Sequence, residues 1–232
     1  FFRKRQMEVP IRKTPLNSRN LLVKNTDRPT VSKKKIFMTK SKKGILILTP
    51  FFSPNIGGVE SHLDDLITAL DEQGYLVFVQ TYSPLTTENT LSKKQEYLGN
   101  NTRIFRHKWI GKNLFHKLEN HPILDFLYLT PYLFFRSLLF MIANSKKIET
   151  IHAQGLNAGV IGVFLKVIFR KRLLISLHAV YGQLKKNKLA TLLATLILNN
   201  AEIVLGMSNI VINQFKKLET KEIKVQKYLY WI

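Results

Sequence analysis

Two glycines and a set of histidines carry the chemistry open to this sequence. Gly57 and Gly58 stand side by side at the end of the stretch TPFFSPNIGGVES, directly before residues with helical spacing. The start of a helix leaves backbone N–H groups without intrahelical partners, and the helix dipole makes that end positive. A glycine pair there lets the backbone approach a ligand closely, and phosphate is the natural guest. The same two residues also suit a tight turn that binds nothing. Neither the G-x-G-x-x-G fingerprint nor a loop ending Gly-Lys-Ser/Thr is present, which argues against a nicotinamide-cofactor domain.

His178 closes the apolar run LLISLH, and His152 closes a second strand-like run before Gly155. A strand-end imidazole can hydrogen-bond a ligand hydroxyl or steady charge developing in a transition state, and it can equally be an ordinary satisfied polar residue. His152 reads as a structural histidine lining a cleft, with ligand contact as the alternative. Glu60 and His62 follow the glycines. A carboxylate at Glu60 suits the first helical turn, where it would compete with a bound phosphate. His107, His116 and His121 fall in a polar loop region without H-x-x-x-H or H-E-x-x-H spacing, so no metal site is expected. The 15 carboxylates show no pair of the kind glycosidases use. With no cysteine, the chain has no thiolate nucleophile, disulfide framework or cysteine zinc site.

Positioning these groups requires a scaffold, and its pattern is regular from Gly44 onward. Strands are predicted at 45–49, 75–82, 103–110, 150–154, 173–179, 202–207 and 223–230, and helices at 59–73, 124–144, 156–169, 189–199 and 209–218. This alternation predicts an α/β domain, doubly wound, with a mostly parallel Rossmann-like sheet and helices on both faces. Ligands of such sheets bind beyond the carboxyl ends of the strands, where Gly57, Gly58, His152 and His178 all fall. The run at 123–143 is long enough to span a bilayer, but Asp125, Pro131 and Arg136 interrupt it. Its aromatics suit either core packing or a membrane surface.

Charge is unevenly spread. Residues 1–43 hold 14 Lys/Arg against 2 Asp/Glu, a net +12 of the chain's +21, together with three prolines and no sustained apolar period. They are expected to form a disordered basic arm ahead of a single domain at 44–232. A rival class follows from the same charge: a nucleic-acid-binding or other non-catalytic α/β module with a basic arm. No RNP, KH or zinc-finger pattern supports that class, and no specific nucleic acid is expected. An anionic membrane surface is the other expected partner of such an arm.

The stretches from Ile45 to Pro84, ETIHAQGLNAGVIGVFLKVIFRKRLLISLHAVYGQ and NNAEIVLGMSNIVINQFKKL together resemble the N-terminal domain of a family 4 glycosyltransferase of the GT-B fold. The resemblance covers residues 44–232. It implies an acceptor-side Rossmann-like domain facing a second, donor-binding domain, sugar transfer from a nucleotide-sugar with retention, and no metal or other cofactor. The glycan or lipid acceptor would lie in the cleft between the domains. The motif P-x-x-G-G-V/A-E maps onto Pro54 to Glu60 and implies that Gly57 and Gly58 meet the donor diphosphate. His178 takes the family's catalytic histidine position near the reacting sugar, while His152 and Ser208 line the cleft or contact the acceptor. Where the family usually reads Ser-Glu, this chain has Ser208-Asn209. The donor-binding domain with its Glu-x7-Glu motif is not within the sequence, so the chain is expected to be inactive alone. The resemblance places such an enzyme in the cytoplasm or at the cytoplasmic face of a membrane.

Overall fold

The computed structural model describes residues 43–85, 94–111, 114–118, 121–178, 188–216 and 224–227. The expected basic arm, apart from Lys43, lies outside the described residues.

In chain order the elements are β1 (Gly44–Leu48), α1 (Gly58–Glu72), β2 (Leu76–Tyr82), β3 (Gln95–Leu98), β4 (Thr102–His107), α2 (Leu114–Leu118) and α3 (Pro122–Asn144). A 3-10 turn (Ser145–Lys147) leads to β5 (Ile148–Gln154), α4 (Gly155–Phe169), β6 (Arg172–Leu177), α5 (Lys188–Asn200), β7 (Ile203–Gly206), α6 (Asn209–Lys216) and β8 (Lys224–Lys227). The strands form one sheet in the order β3-β4-β2-β1-β5-β6-β7-β8. Neighbours are parallel except β3 and β4. The chain winds outward from β1 through β2 to β4, then returns to β5 on the other side of β1. That reversal opens a crevice beyond the carboxyl ends of β1 and β5.

Strand alternation sorts the core onto two faces. Leu46, Leu48, Ile151, Ala153, Leu173, Ile175 and Leu177 share a cluster with residues of α3, α4, α5 and α6. Ile47, Val77, Val79 and Ile104 point the other way, to Phe52 and to Leu63 and Ile67 of α1. The i, i+4 spacing of Leu63 and Ile67 places both on the buried side of α1. The helix stops at Gly74, whose φ of +80° costs other residues more than glycine. On the opposite face α4 fits closely because Gly159 and Gly162 lack side chains. A Cβ at Gly159 would lie 2.9 Å from Ile197 Cγ2, and one at Gly162 would lie 2.7 Å from Leu173 Cδ1.

α3 explains how a helix with an internal proline persists. Pro131 removes one N–H from the ladder, and just there the buried Tyr82 side chain enters from β2. Its hydroxyl donates to Leu129 O at 2.7 Å and accepts from Leu133 N–H at 3.1 Å, bridging a donor and acceptor that would ordinarily pair directly. Leu129, Leu133 and Met141 are buried from this helix, so its sheet side is core. Its outer side is exposed and apolar.

Two elements depart from the expected pattern. β3 has the sequence QEYL, short and mostly polar, so no alternation marks it; it pairs antiparallel at the sheet edge. Arg106 on β4 holds it through a two-pronged bond to Glu96, at 2.9 and 3.0 Å. His107 falls within the strand expected at 103–110 rather than in the polar loop region, and it ends β4. There it is buried, 2.7 Å from Gln80 Oε1, and accepts a hydrogen bond from Arg136 Nε at 3.1 Å. His116 lies in the short helix α2, also unexpected, because five residues are too few for a periodic signal.

Candidate functional site

The loop from Thr49 to Gly57 is braced before it reaches the glycines. Thr49 Oγ1 donates to Phe51 O at 2.6 Å, and Asn55 Nδ2 donates to Phe52 O at 3.0 Å. Phe52 is buried in the α1 cluster with the Arg106 guanidinium 5.4 Å from its ring centre. Gly57 is the N-cap of α1 in extended backbone, with no side-chain cap. A Cβ at Gly57 would run into the Glu60 carboxylate, whereas one at Gly58 would meet nothing within 4 Å. Glu60 folds back toward the helix start and accepts a hydrogen bond from its own backbone N–H. Burial raises its pKa, that bond opposes the rise, and Asp64 adds to it. An anion seated on these amides would replace the Glu60 carboxylate.

Beside this helix start lies a polar ladder on the α1 side of the sheet. Alternation points His152 and Gln154 of β5 to the same face, as it does Ser176 of β6 and His178 just beyond. His152 Nε2 lies 2.8 Å from Ser176 Oγ, and His178 Nε2 lies 2.6 Å from Gln154 Oε1. The other ring nitrogen of His178, Nδ1, lies 2.9 Å from Met207 Sδ. The buried Gln154 Nε2 has no acceptor among the described residues. His62 of α1 completes the cluster, its ring centre 6.3 Å from that of His178. Thus α1 carries the glycine pair to the same end of the sheet as His178.

Burial is the main influence on all three imidazoles. It pushes His178 down to about 3, with His62 and His152 adding to the shift. It holds His152 down to about 4, with His62 contributing. It also lowers His62, against the pull of Asp65. At neutral pH the cluster is uncharged: it can orient hydroxyls but offers no cation.

A model of Glycosyltransferase Family 4 matches residues 56–226, well over half of the chain. The chain belongs to glycosyltransferase family 4. Solved structures share its fold: sucrose-phosphate synthase from Thermosynechococcus elongatus has a TM-score of 0.58 at 17% identity, over 81% of this chain and 48% of that one. HepE from Anabaena in complex with UDP and glucose gives 0.54 at 15%, over 82% and 45%. OtsA gives 0.54 at 12%, over 82% and 50%. The chain thus spans about half the length of these GT-B relatives. No curated protein matches the sequence.

Within this family 4 domain, Gly57, Gly58, His152, His178 and Ser208 all lie at the carboxyl edge of the sheet, but with different surroundings. Gly58 borders open space, and His178 sits in the ladder. His152 is buried one rung deeper. Ser208 Oγ accepts from Val211 N–H at 3.3 Å and so caps α6. Gln154 and Ser176, the partners of the two ladder histidines, escape a residue-by-residue reading. The signal that would find them is the two-residue period, which puts each on the same face as a named histidine.

Proposed function

We propose that this family 4 domain forms the acceptor side of a retaining glycosyltransferase. It would work against a second, donor-binding domain and move a sugar from a nucleotide-sugar to a lipid-linked, polysaccharide or other glycan acceptor. The observation that carries this reading is the approach of α1 to His178, which brings an uncapped helix start and a neutral imidazole to one crevice.

The roles follow from charge. As the glycosidic bond to the diphosphate breaks, negative charge grows on the leaving oxygens and positive charge on the sugar ring. The α1 amides and the positive end of the helix suit the diphosphate, once Glu60 turns aside. A cationic histidine beside the sugar would oppose the ring's developing charge. The low pKa of His178 avoids that, and its neutral ring would fix a hydroxyl of the transferred sugar by exchanging for it the contact that Gln154 or Met207 makes with a ring nitrogen. No metal or other cofactor enters this scheme, and the site of action would be the cytoplasm or the cytoplasmic face of a membrane.

The test is transfer by the complete enzyme from a panel of labelled nucleotide-sugars to lipid-linked and polysaccharide acceptors, with the product anomer read by NMR. The reading predicts transfer with the donor's anomeric configuration kept. Inversion would overturn the stereochemical part, and absence of transfer from every donor would overturn the whole.

A further inference from the structure

The outward side of α3, α4 and α5 is apolar where a solvent-facing helix layer would carry charge. On α3 the exposed positions Leu124, Leu127, Pro131, Phe135, Leu139 and Ile142 recur at spacings of three and four, forming a stripe along the helix. Phe135 is 60% and Leu139 59% exposed, and Arg136 is the one exposed charge among the described α3 residues. α4 adds Phe164, Val167 and Ile168, and α5 adds Leu192 and Leu196. The helices are joined: the Phe134 and Phe164 rings meet at 5.8 Å, and α5 packs on α4 through Gly159. Between α3 and α4 lies an apolar cleft of about 150 Å³, lined by Phe126, Pro131, Phe134, Val160 and Phe164 among others. Exposed apolar surface of this extent marks a binding face.

Charge identifies the partner. The C-terminal ends of α3 and α4 carry Lys146, Lys147, Arg170 and Lys171, which with Lys43 and Arg172 surround a groove of about 390 Å³. Glu149, its one acidic lining residue, pairs with Lys43 at 3.0 Å, and Arg172 pairs with Glu202 at 2.8 Å. The other four cations have no carboxylate partner among the described residues. A cation or two at a helix C-terminus complements the dipole, but six around one groove exceed that need. Arg170 also holds its place at φ +53°, a left-handed position that glycine adopts with less strain. The opposite face has the reverse sign: α1 carries Glu60, Asp64, Asp65, Asp71 and Glu72, while the carboxylate of α3, α4 and α5 is Asp125, bonded to Asn157.

We propose that the α3–α4–α5 face docks on an anionic lipid bilayer, with the apolar stripe in the acyl boundary and the basic groove on headgroup phosphates. The acidic α1 face turns away from the surface. Helix α3 lies in the interface rather than across it, because Tyr82 and the core hold its other side. A second copy's matching face offers no carboxylate except Asp125, already bonded to Asn157, to complement the groove, whereas an anionic membrane supplies headgroup charge. The inference stands independently of the sugar-transfer reading.

The test exploits the absence of cysteine. In the full chain, Leu139→Cys and, on the exposed side of α1, Thr68→Cys are each labelled with a polarity-sensitive dye. They are mixed with vesicles of phosphatidylcholine or of equimolar phosphatidylcholine and phosphatidylglycerol. The label at 139 should shift to the blue and be shielded from an aqueous quencher only with the anionic vesicles, while the label at 68 stays unchanged. Vesicle binding that leaves 139 unchanged would mean the basic N-terminal residues alone hold the chain, and would overturn the proposal. So would a shift at 139 that grows with protein concentration without lipid, the signature of a second copy. Lys146→Gln combined with Lys147→Gln and Arg170→Gly should weaken anionic-vesicle affinity about tenfold or more, with the melting temperature kept. Unchanged affinity would overturn the role of the groove.

Discussion

A side chain at Gly58 would meet no atom of the domain within 4 Å, so substitution there separates ligand binding from folding. Gly58→Val should leave thermal stability within about 0.5 kcal/mol, since the new methyls project into open space. In the complete enzyme it should raise the KM for the nucleotide-sugar about tenfold or more, because those methyls would stand in the proposed path of the diphosphate to the amides. Steady-state kinetics beside a denaturant curve checks both halves, and a destabilised variant with normal KM would contradict the assignment. The histidines supply a pH signature. Unfolded histidine ionises near 6.5, whereas burial holds folded His107 and His152 down to about 4. Between about 6.5 and 4 the unfolded chain therefore binds more protons, and stability falls as pH drops through that window, by of order 1–3 kcal/mol for each histidine. His107→Gln should make the fall shallower in urea titrations from neutral to acid pH. At this scale the sequence marks His178 and His152 by their place at strand ends, and the glycines by their place before a helix. It does not mark Gln154, Ser176 or Met207 individually, because their importance comes from cross-strand register, which joins residues 24 or more positions apart.

Helix α3 shows how one element serves two environments. Its long apolar run is ambiguous in sequence between core and membrane surface, and the structure divides the residues by face: Leu129, Leu133 and Met141 inward, Phe135, Leu139 and Ile142 outward. Tyr82→Phe tests what holds the inner side. It removes the hydroxyl that serves both Leu129 O and Leu133 N–H, leaving a buried donor and acceptor beside the proline break unless the ladder closes. A loss of about 1–3 kcal/mol is expected by chemical denaturation, and no loss would mean that the two groups pair directly once the hydroxyl is gone. The central strands and helices were legible because apolar periodicity over many residues is a strong signal. β3 and α2 were not, because a polar edge strand and a five-residue helix depend on partners distant in sequence. Asp71 illustrates this at the β3–β4 turn: from the end of α1 it accepts the N–H groups of Asn100 and Asn101 and the hydroxyl of Thr102.

At the scale of the molecule, the sheet separates three surfaces. Its carboxyl edge holds the glycine loop and the histidine ladder, the α1 face is acidic, and the α3–α4–α5 face is apolar with a basic groove at one end. The sheet that carries the first is the GT-B fold, shared with solved structures of about twice this length. At that edge the proposed role of His178 is to act on the transferred sugar as a neutral hydrogen-bonding group. The measurement that tests it most directly is kcat for sugar transfer by the complete enzyme with His178→Ala, alongside its melting temperature. With this role, kcat should fall by about 10²-fold or more, the melting temperature should stay within a few degrees of the parent, and the parent's kcat profile should show no histidine ionisation between about pH 5 and 8. Parental turnover in the His178→Ala enzyme would contradict it.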